Sequence, residues 1–140
     1  MPHPLMFDPT DPVLSRVREI ALALPEAIEK VAHGQPTFRS SKVFAYYGGS
    51  VRAGEPRAGH RHGQSVLIVP DPSERTALEQ DPRTFVPAYL GPSGWLGIDL
   101  SGSVDWTEIA ELIDASFRQT ATARLIRLLD DQGPAIDKTR

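Results

Sequence analysis

The sequence predicts a single α+β domain in which helices back an antiparallel five-stranded sheet, in the order α-β3-α-β2-α with one further C-terminal helix. Three observations predict this class. A turn, a strand, a second turn and a capped helix follow one another between Leu90 and Arg118. Three strand-like segments succeed one another between Thr37 and Val69. Apolar residues recur at helical spacing near both ends of the chain. Because short connections join consecutive strands, the sheet is expected to be antiparallel.

The first helix is predicted over Pro12–Leu24. Asp11 is a residue type preferred at the N-cap, and proline suits the first helical position. Pro25 ends the helix, because the residue before a proline is disfavoured in the helical conformation. Residues 25–29 are expected to form a connecting turn, and residues 1–11 a loose leader.

The next three elements are strands at Thr37–Ser40, Lys42–Tyr47 and Ser65–Val69. The first two are rich in β-branched and aromatic residues, and the third is a continuous apolar run that is typical of a central strand. The glycine-rich segment Gly48–Gly63 lies between the second and third strands. It is expected to be a long loop, and loops of this length are usually functional or disordered.

A short second helix is predicted from Asp71 to about Gln80, with an acidic residue three positions after its cap. Two strands follow, at Thr84–Val86 and Trp95–Leu100. In the second of these, three aliphatic side chains share one face and Trp95 lies on the other. We expect helix one and the long third helix to back the sheet and helix two to lie at its edge.

The third helix begins at a capping box formed by Asp105 and Glu108. A last helix is predicted over Thr122–Leu129, and residues 130–140 are expected to be a polar tail. The single domain therefore spans 1–140. Its core spans 12–129, and the predicted inward stripe of the third helix is Ile109, Leu112, Ile113 and Phe117.

Composition narrows the class of protein. The chain has no cysteine, which excludes a disulfide framework, a thiolate metal site and a cysteine nucleophile. Its N-terminus lacks the basic and apolar regions of a signal peptide. No apolar run approaches the ~18 residues that a membrane span requires. These features predict a cytoplasmic protein without a membrane partner.

Charge is unevenly distributed along a chain whose net charge is −3. Residues 30–62 contain six basic residues and one acidic residue, whereas residues 71–114 contain nine acidic residues and two basic ones. Such asymmetry can mark a surface that faces an anion. The alternative is that acids of turns and helix caps simply cluster in the second half.

The sequence resembles the MmcQ/YjbR-like family. Three motifs carry the resemblance in order: HGQPTFR followed by KVFA within His33–Ala45, DPRTF with PAY and GPSGW within Asp81–Trp95, and DW with the helix after it within Asp105–Phe117. The resemblance spans about residues 13–129. It implies a small α+β domain similar to the type III secretion chaperone fold, with DNA binding through a double-wing arrangement. Many members carry a lysine in the turn where this chain has Ser93-Gly94, so one phosphate contact is absent here.

The candidate nucleic-acid site consists of five cations and two aromatic residues. Phosphates require several cations spaced along the chain, and an exposed aromatic ring can stack on a base. The alternatives are a solvated loop for the cations and a packed indole for the tryptophan. The candidate residues are Arg39, Lys42, Arg52, Arg57, Arg61, Tyr89 and Trp95.

Other chemistry has little support in the sequence. No nucleotide loop, dinucleotide fingerprint or nucleophile elbow is present, so no catalytic residue and no cofactor are predicted. His33 opens the first family motif without an assigned role, and a turn-locking histidine is the favoured interpretation. His60 and His62 lack the third ligand of a metal site, so no metal is predicted.

Three partner classes follow from these observations. The first is DNA, bound through the basic region 30–62. The second is a protein partner or a second copy, held in a chaperone-like manner on the open sheet with Trp95 and Tyr46. The third is a small ligand in the groove beside the turn at Gly91–Trp95.

Overall fold

The structure, a computed structural model, describes residues 5–132 and shows an antiparallel α+β domain, as predicted. The strands are Ile28–Ala32 (β1), Gln35–Arg39 (β2), Val43–Ser50 (β3), Arg61–Ile68 (β4), Thr84–Phe85 (β5) and Leu96–Asp99 (β6). The sheet therefore has six strands and not five, in the spatial order β1-β2-β3-β4-β6-β5. The helices are Pro12–Leu22 (α1), Arg75–Glu79 (α2), Trp106–Thr120 (α3) and Ala123–Gln132 (α4), with a 3-10 turn at Gly91–Ser93.

Strand β1 is the element that the sequence prediction missed. Its first residues were expected to form a turn, because they follow Pro25 and include two charged side chains. The cause of the strand is the two-residue turn His33-Gly34, in which both residues have positive φ, of 53° and 83°. Such a turn matches the twist of two antiparallel strands. It pairs Ala32 with Gln35 and, four residues further along, Ile28 with Arg39.

The long loop predicted over Gly48–Gly63 is shorter in the structure. Strand β3 continues to Ser50 and pairs with Arg61 at the start of β4. The register of β3 and β4 shifts between Tyr47 and Gly49. A β-bulge at Gly48, whose φ is +84°, absorbs this shift, so the pairing continues beyond it. Only residues 51–60 connect the two strands, and we name them the hairpin loop. This loop is folded, since Val51 N donates to the His60 carbonyl at 2.9 Å.

The helix boundaries also differ from the prediction for physical reasons. Helix α1 ends at Leu22, because the next backbone N–H groups bond to the carbonyl three residues earlier and not four. An example is the bond from Ala23 N to Ile20 O. Helix α2 begins late, because the Asp71 carboxylate accepts from Ser73 within the preceding turn. Helix α4 extends to Gln132, whose side chain donates to the Ala23 carbonyl. Within the described residues, no helix has both the length and the apolar content needed to cross a bilayer.

The main core lies between the sheet and the helices α1, α3 and α4. The predicted helical stripes are buried there, and so is Phe38 of β2, which the tight turn brings to the core. Phe44 of β3 meets Phe117 of α3 edge to face, with ring centroids 5.3 Å apart. Leu112 was expected in this core but is only half-buried. Helix α2 lies beside β5 at the sheet edge and contributes Leu78 to this core.

A second apolar cluster covers part of the opposite sheet face. It is formed by Val51, Leu67, Phe85 and Trp95. The Phe85 ring lies directly over Gly97 of β6, where a Cβ atom would sit 2.6 Å from two ring carbons. Gly97 is therefore required for the ring to pack onto the sheet. Strands β4 and β6 are buried on both faces, whereas β1 to β3 are covered by helices on one face only.

One arginine connects the short strand β5 to helix α3. Arg83 donates to Asp81 at 2.7 Å and to Glu108 at 2.9 Å. The Arg83 guanidinium holds the pKa of the Asp81 carboxyl below its usual range. Glu108 was predicted to complete a capping box with Asp105. The Asp105 side chain does cap α3, by accepting from Thr107 and Glu108 N–H groups, while the Glu108 side chain serves this ion pair.

We expect Gly97→Ala to lower the free energy of unfolding by about 1–3 kcal/mol, the usual cost of overpacking, because the new methyl group would displace the Phe85 ring. Gly63→Ala is the matched control on β4, since no atom lies within 4 Å of its Cβ position. Its effect should stay within about 0.5 kcal/mol. Urea unfolding measures both. Equal stability of the two variants would contradict the packing assigned to Gly97.

The Asp81 ion pair predicts a pH-dependent stability difference. A carboxyl whose pKa is lowered by folding stabilises the protein above its unfolded pKa of about 3.9, and this contribution disappears as the pH falls through the lower folded value. Wild type should therefore exceed Asp81→Asn in stability at pH 6, and the difference should shrink below pH ~4. Urea titrations across this range measure it. Glu111→Gln, which alters an exposed acid of α3, is the control. A difference that is constant with pH would refute the assignment.

Candidate functional site

The sheet surface turned away from α1 and α3 is open over strands β1 to β3. We name this surface, formed by Lys30, Gln35, Thr37, Arg39 and Tyr46, the open face. Its orientation follows from strand alternation, since the neighbouring Glu29 points to the helix side and binds Arg18 of α1 at 2.6 Å. The Thr37 hydroxyl donates to the Lys30 carbonyl at 2.5 Å and ties the edge strand to β2. The described part of the open face carries two cations and no acid.

A cavity of about 600 Å³ lies at the end of the open face nearest the hairpin loop. Its floor is formed by side chains of β2, β3 and β4, namely Gln35, Tyr46, Leu67 and Arg61. Its wall is the segment that follows β5, residues 87–90, which we name the wall segment. Ala32, His33 and Met6 close the other side. The cavity is therefore bounded by five separate stretches of the chain.

The wall segment is held by backbone hydrogen bonds to the end of β3 and the hairpin loop. Arg52 N donates to Val86 O at 2.8 Å, and Ala88 N donates to Ser50 O at 2.8 Å. Tyr89 follows in the left-handed conformation, with a φ of 67°, and its side chain is 96% exposed. A bulky residue with positive φ is unusual and costs on the order of 1 kcal/mol. The backbone therefore fixes a fully exposed aromatic ring at the rim of the cavity.

Arg61 is the cation that reaches into this cavity. Its guanidinium lies over Gly48, where a Cβ atom would be 3.0 Å from Nη2. Burial lowers the pKa of the Arg61 guanidinium below its ordinary value. Within residues 5–132, Arg61 makes no ion pair. The cavity thus contains a half-buried positive charge that no acidic side chain of the described residues neutralises.

Arg39 occupies the other end of the open face. Its Nη2 donates to the Thr37 hydroxyl at 3.1 Å, and its Nε is buried without a partner in the described part of the chain. Burial raises the pKa of the Tyr46 hydroxyl, and the nearby Arg39 charge counteracts that shift. Tyr46 therefore lies between the two arginines, with its ring against Trp95 at a centroid distance of 5.0 Å.

The structure does not bring all the predicted site residues together. Arg57 is exposed at the tip of the hairpin loop, and Lys42 is exposed at the opposite end of β3. Arg52 is engaged by Glu55 at 3.4 Å and supports the wall segment beside Gly91. Trp95 is only 8% exposed, so its indole is a packed side chain under Tyr46 and not a surface for stacking.

His33 has a conformational role in the structure. It is the first residue of the β1–β2 turn, with a φ of 53°, and it also borders the cavity. The turn-locking interpretation of this motif histidine agrees with that position. The motif His33-Gly34 is thus the local cause of strand β1, which the sequence analysis did not predict.

A histidine–carboxylate pair was not anticipated from the sequence. His62 Nδ1 lies 2.8 Å from Asp99 Oδ2, and the imidazole stacks on Phe85 at a centroid distance of 4.2 Å. Burial acts to raise the pKa of Asp99, but hydrogen bonds from Ser101 and His62 hold it below the usual range. The pair ties β4 to β6. Strand alternation places Asp99 on the face opposite Ile98 and Leu100, and this is the only signal of the pair in the sequence. No cluster of three ligands suited to a metal occurs among residues 5–132.

Comparison with known proteins identifies the family. Residues 22–119 match the family model described as YjbR, and the chain therefore belongs to the YjbR family. This confirms the resemblance seen in the sequence motifs. None of the curated proteins compared with the chain matches it.

Solved structures share this fold at low sequence identity. A protein from Pseudomonas syringae is 18% identical, with a TM-score of 0.59, and the match covers 76% of this chain and 97% of that one. A Deinococcus radiodurans protein of the DUF419 domain family is 17% identical, with a TM-score of 0.57, and the match covers 84% and 87%. At such identities the similarity establishes the fold.

The packing of Arg61 over Gly48 predicts a specific effect of Gly48→Ala. Both Gly48→Ala and the control Gly54→Ala place a side chain at positive φ, which costs about 1 kcal/mol. Only the Gly48 variant crowds Arg61 and the Gly63 carbonyl, because the Gly54 Cβ position is open. We expect a larger loss of stability for Gly48→Ala and a shifted Arg61 Nε–H resonance in NMR spectra. Identical losses with an unchanged resonance would contradict this packing.

Proposed function

We propose that this member of the YjbR family binds nucleic acid through the phosphate backbone, along the open face and the hairpin loop. The observation that supports the proposal is the separation of paired from unpaired cations. Five arginines on the helix side are matched by carboxylates. Within residues 5–132, the cations of the open face, the β2–β3 turn and the hairpin tip form no ion pair. Phosphate binding requires cations that are free to neutralise phosphates, because each neutralised phosphate releases counterions condensed on the nucleic acid.

The arginines on the helix side illustrate the contrast. Five of them lie within 3.0 Å of an acidic side chain, either on the same helix or on a neighbouring element. The exposed Arg127 of α4 forms no ion pair within residues 5–132. The paired residues are Arg16 with Glu19, Arg18 with Glu29, Arg83 with Glu108, Arg118 with Asp114, and Arg124 with Glu26.

Five cations on the other side form no ion pair within the described residues: Lys30, Arg39, Lys42, Arg57 and Arg61. They are distributed from the β2–β3 turn to the hairpin tip. An eight-residue strand such as β3 spans roughly 25 Å at the usual rise per residue. The cations therefore follow the direction of the strands over a length that can accommodate several consecutive phosphates.

The aromatic residues suit this surface to different degrees. Tyr89 is fully exposed beside Arg61, and half-buried Tyr46 lies within the open face. Base stacking on such rings is tolerant of sequence, so these two residues favour single-stranded or unpaired bases. Trp95 has no part in this proposal, because its ring is buried.

Fluorescence anisotropy with a labelled duplex and a labelled single strand tests the proposal. We expect binding in roughly the micromolar range at low salt, weakening as salt rises. The combined variant Lys30→Gln, Lys42→Gln and Arg57→Gln should bind at least about tenfold more weakly. Its slope of log affinity against log salt should be lower by roughly 3, because each contact contributes about one unit.

The control carries the same change of charge on the helix side: Arg16→Gln, Arg124→Gln and Arg127→Gln. It should retain both affinity and salt slope, because these three cations lie on α1 and α4, away from the open face and the hairpin loop. Equal losses in the two triple variants would show that net charge, and not the open face, governs binding. Absence of binding at low salt would overturn the proposal and favour a protein partner on the open sheet.

A further inference from the structure

The cavity beside the open face has features that phosphate-backbone binding does not use. It is enclosed by the wall segment on one side and by the β1–β2 turn on the other. Its volume of about 600 Å³ falls in the range that is usual for small-molecule sites. A nucleic-acid backbone follows exposed cations and does not need an enclosed apolar space of this kind.

The lining of this cavity combines one cation with mainly apolar surface. Leu67, Met6, Leu90 and the Tyr46 ring provide the apolar part. Arg61 provides the charge, and the described lining includes no acidic side chain. A few polar groups in a mostly apolar concave surface are typical of ligand sites, because the polar groups orient a ligand whose body is buried.

The state of Arg61 indicates the charge of the ligand. Taking a guanidinium out of water is unfavourable unless an anion or hydrogen bonds compensate for the lost solvation. Within residues 5–132 no carboxylate pairs with Arg61, and burial lowers its pKa. The guanidinium nevertheless stays protonated at all ordinary pH values. An anionic group that binds in the cavity would complete this interaction.

The backbone around the cavity is also unusual. His33 and Tyr89 both have positive φ, and both border the cavity. Gly48, with a φ of +84°, leaves the space in which the guanidinium lies. Such conformations persist where the surrounding structure enforces them, and they are frequent at binding sites.

We propose that this cavity binds a small organic anion, with its carboxylate or phosphate on Arg61 and its apolar or aromatic body between Tyr46 and Leu67. Arg61 also belongs to the cations of the proposed nucleic-acid surface, whereas the apolar lining of the cavity is used by this inference alone. Arg61 fits both head groups, because its planar fork of N–H donors matches the oxygens of either one. The expected ligand is therefore a monoanionic or dianionic molecule of metabolite size with one apolar end.

Three probes of one size distinguish the head groups: benzoate, phenyl phosphate and the uncharged benzyl alcohol. Each is titrated into the full ¹⁵N-labelled chain and followed by the shifts of backbone amide signals. We expect saturable shifts at Ala32, Gly49 and Tyr89, with a Kd on the order of 1 mM for the better anion. Benzyl alcohol should bind at least about tenfold more weakly, because it lacks the charge-assisted hydrogen bonds.

Two variants and one control test the assignment. Arg61→Gln should reduce anion affinity to the level of the alcohol, and Arg57→Gln, a hairpin cation outside the cavity, should not change it. Ala32→Phe places a ring in the apolar space while retaining Arg61, and it should weaken all three probes. If Arg61→Gln fails to fold, Ala32→Phe and the difference in affinity between the anions and the alcohol still test whether the cavity binds an anion.

Each outcome either identifies the head group of the ligand or overturns the inference. A preference for phenyl phosphate would assign a phosphate ester as the ligand class, and a preference for benzoate would assign a carboxylate. The inference is overturned if the alcohol binds as tightly as the anions, if Arg61→Gln binds them normally, or if no probe produces saturable shifts at the cavity.

Discussion

The docking of α3 across the two central strands is the contact on which the rest of the molecule depends. Ser116 lies completely buried in this interface. Its hydroxyl donates to the Phe44 carbonyl at 2.6 Å and accepts from Val69 N at 2.8 Å. A buried hydroxyl that makes both hydrogen bonds fixes the position of the helix along the sheet as well as its distance from the sheet. Because α3 and α1 pack on the same side of the sheet, the other side of β1 to β3 has no helix above it.

This one-sided packing also separates the charges. Several acids of the helices and their caps lie on the covered side, where they pair with arginines or accept from backbone N–H groups. Asp11 is an example, since it caps α1 and also accepts from the Tyr47 hydroxyl at 2.5 Å and from Gln64 at 3.1 Å. The open face receives cations without corresponding acids. A chain with a net negative charge thus presents a locally basic surface.

Local signals in the sequence were sufficient for the elements with strong periodicity. The cap at Asp105 and the apolar stripes predicted the long helices, and the continuous apolar run predicted β4. The face of Trp95 was also inferred correctly from alternation. Strand β1 was missed because its five residues have no apolar alternation and depend on the turn at His33-Gly34. The bulge at Gly48 was not predicted for a similar reason, since it depends on the register between β3 and β4 and not on the local sequence.

The candidate site was predicted by residue type and not by geometry. Basic residues between positions 30 and 62 were identified from the sequence, yet they have three different roles: exposed cations, a support for the wall segment, and a half-buried guanidinium. What distinguishes Arg61 from Arg57 is the absence of a side chain at Gly48, which admits the guanidinium into the cavity. The wall segment belongs to the acidic half of the chain, so the cavity forms only after both halves pair through β4 and β6. A charge count along the sequence divides these halves, whereas the antiparallel sheet joins them beside Arg61, a half-buried cation that has no acidic partner among residues 5–132.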